Sequence, residues 1–97
     1  MTVEGLEKLF DEHEGEFREF DRIDNKRSQR PDLHAFLLLD DLFPGSRCIV
    51  DGVSLGEIFL DTNVDELAEI ATDELVIELT RCGVRLDADA GFLAIFV

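Results

Sequence analysis

The sequence predicts an α+β domain in the order ααββααββ, with a small, mostly antiparallel sheet packed against helices. Three patterns carry that expectation. Apolar residues recur at steps of three and four near the start, a long apolar block is bracketed by Pro31 and the Pro44-Gly45 pair, and two β-branched, Gly-bounded segments read as hairpins. With 97 residues there is room for one core. Residues 1–97 are therefore read as a single domain: an amphipathic helix over 1–20, a polar linker over 21–30 and an α+β core over 31–97.

Over 3–20, Val3, Leu6, Leu9, Phe10, Phe17 and Phe20 fall on one helical stripe, which also holds His13. Gly15 marks a place where this helix can break. The segment DRIDNKRSQR then gathers Arg22, Lys26, Arg27 and Arg30. Pairing with the acids around them is expected of these four. Ser28 is a candidate cap for the next helix and Pro31 suits its first turn, where a missing N–H costs nothing. Between Leu33 and Phe43 the apolar residues point nearly all round the axis, the pattern of a buried central helix. Its narrow polar strip holds Arg30, His34 and Asp41.

Strands are expected over 47–50 and 57–60, with the turn at Asp51-Gly52 or nearer Ser54 to Gly56. Asn63 caps a short helix over 64–71, and Thr72 caps another over 73–82 that Gly83 stops. Both open with acids, Asp65 and Glu66, then Asp73 and Glu74, as the helix dipole favours. VRLD and GFLAIFV flank a DADAG turn as a second hairpin. Its last strand is apolar on both faces and needs cover on both.

Charge bounds the partners. The chain carries 23 Asp and Glu against 9 Lys and Arg, a formal net charge of -14. Such a field repels phosphate, which disfavours nucleic acid and anionic membrane as direct ligands and favours a basic patch on another protein. Glu4, Glu7, Asp11 and Glu14 recur at steps of three, four and three, and form the candidate partner-binding row. The function expected is that of a non-catalytic acidic binding protein. One alternative is a DNA-mimic inhibitor built on that row. The other is a structural homo-oligomer whose closing GFLAIFV strand pairs with its twin in a homodimer.

No catalytic residue, metal site or cofactor is expected. Cys48 and Cys82 lack the close spacing of a metal motif and read as buried free thiols of a reducing cytoplasm. DADAG departs from the calcium loop, which needs its glycine at the sixth position, whereas Gly91 is fifth counting from Asp87. His34 with Asp41, and His13 with Glu12 or Glu16, are the pairs from which an acid–base argument would start. Neither has a nucleophile beside it. The N-terminus is acidic where a secretory signal is basic, and the apolar runs fall far short of the ~20 residues of a membrane span. A soluble, cytoplasmic protein is expected.

The segment EIFLDTNVDELAEIATDELVIELTRCGVRLD, with the closing FLAIFV, resembles small, functionally uncharacterised acidic proteins encoded by tailed bacteriophages. The likeness covers the C-terminal half. It implies an accessory protein of the bacterial host cytoplasm, in a group whose short acidic members bind and inhibit host enzymes or defence complexes. No site residue comes with it.

Overall fold

The computed structural model describes residues 1–96. Helix α1 (Val3–Glu12) begins where the Thr2 hydroxyl accepts the Gly5 N–H at 3.1 Å, and it turns Leu6 and Phe10 into the core. It stops at His13. The helix expected over 1–20 is thus corrected to its first part, and two turns of 3-10 helix, Glu14–Glu16 and Phe20–Arg22, follow it. Gly15 weakens helix propensity at the break, and the later aromatics find tertiary partners: Phe17 meets Phe96 edge-on at 5.6 Å, and Phe20 meets His34 at 5.8 Å. Residues 21–30 are a strap and not a loose linker, because Ile23 is only 4% exposed within the core.

Helix α2 (Pro31–Leu42) has its proline in the first turn, as expected. Arg30 occupies the N-cap position, and the Ser28 hydroxyl accepts the Arg30 N–H without capping the helix. The helix is not buried all round. Ala35, Leu38 and Leu39 face the core with His34 beside them, whereas Leu33 and Leu37 are exposed. Burying a histidine ahead of two leucines requires polar partners, and these come from other parts of the chain.

The strands β1 (Val50–Ser54), β2 (Glu57–Leu60), β3 (Val84–Asp87) and β4 (Phe92–Phe96) form one sheet in the order β1-β2-β4-β3, every pair antiparallel. The first strand lies later than the expected 47–50. Leu55 and Gly56, at φ 33 and 84, make the two-residue turn that sets Ser54 opposite Glu57, and the Asp51-Gly52 step becomes a register irregularity inside the strand. Both edges of β4 are paired. The homodimer through the C-terminal strand therefore has no edge to use, and the open edges belong to β1 and β3.

Helices α3 (Val64–Ile70) and α4 (Asp73–Arg81) are capped as expected, the Asn63 side chain accepting the Glu66 N–H at 3.1 Å and Thr72 accepting the Leu75 N–H at 3.2 Å. Gly83, at φ +92, then turns the chain from α4 into β3. DADAG is a turn: the Asp87 carboxylate accepts the Ala90 N–H at 3.0 Å and its carbonyl accepts the Gly91 N–H at 2.8 Å.

The registers place Ile58, Leu60, Leu93, Ile95, Val84 and Leu86 on one face of the sheet, packed against Leu6, Leu67, Val76 and Leu79 of the helices. Each fully buried leucine contributes roughly 1.5–3 kcal/mol. The other face carries Phe59, Ala94, Phe92 and Phe96, with the Phe59 and Phe92 rings 4.6 Å apart. Arg85 reaches over fully buried Ala94 to grip Glu57 with two bonds of 2.8 and 2.9 Å, and its guanidinium lies 5.7 Å from the Phe96 ring. The fold is α+β in the expected order, with a Cα radius of gyration of 12.2 Å. No described helix is long and apolar enough to cross a membrane.

Candidate functional site

Glu4, Glu7 and Asp11 occupy successive turns of α1 and are all exposed. Glu14 is exposed too, but it follows the break at His13 and leaves the helical spacing. The row of four is thus three residues and a displaced fourth. The displacement carries Glu14 beside β3, where it and Asp11 rim a groove of about 480 Å3 floored by Phe10, Phe17, Val84 and Leu86. Glu4 and Glu7 lie farther back along α1, outside the groove lining.

One wall of this groove is the β3 edge, which is covered at fully buried Val84 and partly exposed at Leu86. The bonds from the Phe96 N–H to the Gly83 carbonyl, 3.2 Å, and from the Asp61 N–H to the Ile49 carbonyl, 2.7 Å, set the phase of the ladder. By antiparallel alternation, Arg85 turns its backbone groups to β4, and Val84 and Leu86 turn theirs away from it.

The arginines are largely committed to ion pairs, Arg85, which also lines the groove, among them. Arg22 and Arg81 hold Glu16, Arg27 holds Asp41, Arg47 lies near Asp51 and Asp61, and Arg85 holds Glu57. Arg22 and Arg27 do pair with acids, but with Glu16 and Asp41 outside the segment and not with the neighbouring Asp21, Asp24 or Asp32. Lys26 instead donates to the Ile23 carbonyl at 2.9 Å and sits 5.3 Å from the Phe20 ring. Glu4, Glu7, Asp11 and Glu14 join no ion pair among the described residues, although Lys8 shares the helix with the first three. The hydrogen bond from Arg81 pulls the Glu16 carboxyl below its ordinary value; burial opposes it as the next largest effect, and the Arg22 charge adds to the lowering.

His34 and Asp41 do not form a pair. The His34 Nδ1 accepts the Arg27 N–H at 3.0 Å, which leaves the proton on Nε2, 3.2 Å from the Glu78 carboxylate. The ring is 1% exposed, and Asp41 turns outward to the Arg27 guanidinium. Burial, reinforced by the Glu78 charge, pushes the Cys82 thiol up to about 12, so it stays protonated and a poor nucleophile; Cys48 is exposed, which corrects the burial expected of it, because it lies in the irregular segment before β1. His13 lies against Asp73 of α4. Neither Glu78 nor Asp73 was legible as a partner, because each histidine meets an acid from a distant helix, 44 positions along in the case of His34. No family model, curated protein or solved structure matches the chain.

Proposed function

We propose that this chain is a non-catalytic binding protein that docks a cationic, extended segment of another protein in the groove between the end of α1 and the β3 edge. The observation that carries this reading is the company Asp11 and Glu14 keep: two carboxylates in no ion pair among the described residues rim an apolar floor beside the outward-directed, partly exposed Leu86 of the strand edge. An occupant with Lys or Arg flanking one or two apolar side chains would meet the acids, fill the floor and bond to the edge. Glu4 and Glu7 extend the attracting field along α1 and act on the rate of encounter.

Docking in the groove is favoured over mimicry of DNA. A phosphate-like display needs regular spacing, and the helix break removes Glu14 from it. The resemblance to phage accessory proteins and the free thiols point to a bacterial cytoplasm as the place of action.

The test is fluorescence anisotropy with a labelled peptide alternating Lys or Arg with Leu or Val. The double variant Asp11→Asn, Glu14→Gln is expected to bind about tenfold more weakly, as the loss of two exposed charge pairs implies. Asp65→Asn, on α3, should leave affinity near the parent value. Equal weakening by both, or affinity that does not change between low salt and 1 M salt, would sink the reading.

A further inference from the structure

His13, at the end of α1, presents a problem of hydrogen bonding. Its Nε2 is shut off from solvent and is the single buried side-chain polar atom among the described residues with no hydrogen-bond partner. A buried nitrogen left unmatched is costly, and most such atoms in folded proteins have a partner. The nearest acid oxygen, Asp73 Oδ1 on the first turn of α4, stands 3.5 Å away, beyond ordinary hydrogen-bond reach. Glu12 completes the group, and one ligand atom from each of the three residues lies within 4.8 Å of the others.

The separation suits a shared ion better than a shared proton. Two ligands on one tetrahedral zinc ion, with bonds of about 2.0–2.2 Å, stand ~3.4 Å apart. The exposed side chains of Glu12 and Asp73 have room to swing onto such an ion, and neither is held by an arginine among the described residues. The helix dipoles oppose one another here, the negative end of α1 attracting a cation and the positive end of α4 repelling it. The two carboxylates therefore decide the sign of the field. α1 also has no basic side chain in its last turn to occupy the place.

We propose that Glu12, His13 and Asp73 bind a divalent transition-metal ion of the zinc type, which clips the end of α1 to the start of α4. An imidazole nitrogen with carboxylate oxygens favours zinc and its neighbours over magnesium or calcium, which take oxygen ligands. Three protein ligands leave room for water on the ion. The clip shares no residue with the lining of the docking groove.

The probe is zinc chloride, titrated by calorimetry at pH 7.5 into metal-stripped protein carrying Cys48→Ser, which removes the exposed thiol as a competing ligand. Ring nitrogen shifts of both histidines are followed by NMR in parallel. One-to-one saturable binding is expected, with the shift at His13 Nε2 and none at His34, whose two nitrogens are already engaged. His13→Gln and Asp73→Asn should each weaken binding by at least about tenfold while circular dichroism shows the fold retained. Two variants are used so that misfolding of one leaves the other to decide. Unchanged zinc affinity in a folded variant, or no saturation at millimolar zinc, overturns the site.

Discussion

Glu16 and Arg81, 65 positions apart, meet in a 2.8 Å hydrogen bond between a carboxylate oxygen and the arginine Nε. The other oxygen takes Arg22 at 2.9 Å, and Arg81 also donates to the Arg22 carbonyl at 3.2 Å. One carboxylate thus ties the segment after α1, the strap before α2 and the end of α4 into one node. That segment also supplies Glu14 and Phe17 to the groove, so the node positions the proposed docking site.

Replacing Glu16 by Gln should lower the thermal midpoint by a few degrees and loosen the groove. The acid's folded value lies below its ordinary 4.5, so its contribution is present above that value and is lost as pH falls through the folded one. The difference in midpoint between parent and Glu16→Gln should therefore shrink on acidification below pH 4.5, followed by circular dichroism melts.

Cys82 should be silent to thiol reagents in the folded protein. With the Cys82 thiol raised from 9.0 to about 12, Ellman's reagent is expected to titrate Cys48 rapidly and Cys82 only after denaturant is added. Between these values the unfolded chain gives up the proton that the folded chain keeps. Stability should fall as pH rises from about 9 towards 12, and Cys82→Ala should flatten that decline.

His34→Ala should cost about 2–4 kcal/mol in urea unfolding, since it opens a cavity and leaves the Arg27 N–H without its acceptor. Leu37→Ala on the same helix is the contrast. Leu37 is exposed, and a change of no more than about 1 kcal/mol is expected. Equal costs at the two positions would contradict the orientation of α2 described above.

Two glycines should respond with opposite signs. A Cβ at Gly83 would meet only ordinary contacts, Arg18 Cγ at 3.6 Å and the Phe96 carbonyl oxygen at 3.8 Å, but the backbone there lies at φ +92. Gly83→Ala should cost about 1–2 kcal/mol through that conformation alone. Gly15 has open space around it and no positive φ, so Gly15→Ala should be neutral or stabilising by up to about 1 kcal/mol. Urea unfolding of both variants checks the pair.

Signals that act within a few residues were legible. Asn63 and Thr72 cap the helices they precede, Gly83 stops α4, Pro31 opens α2, and Asp87 with Gly91 makes the last turn. Competing local signals were harder to rank. Asp51-Gly52 is a strong hairpin pair, yet the turn formed at Leu55-Gly56, which brings Ile58 and Leu60 level with Ile95 and Leu93 on the buried face. At the candidate site, the acids themselves were visible in the row of spacings. Their grouping with Phe17 and β3 was not, since it depends on a helix ending where Phe17 and Phe20 gain more by packing on Phe96 and His34.

By itself the amino-acid order determined the class of fold, the succession of elements, most of their caps and the surplus of negative charge. Each of those follows from interactions between neighbours in the chain or from composition alone. Only the folded structure decided which histidine nitrogen meets which acid, which strand edges stay open and which carboxylates remain without a partner. Those outcomes rest on contacts between distant segments, where burial and hydrogen bonding to a remote side chain outweigh the local preference for helix or turn.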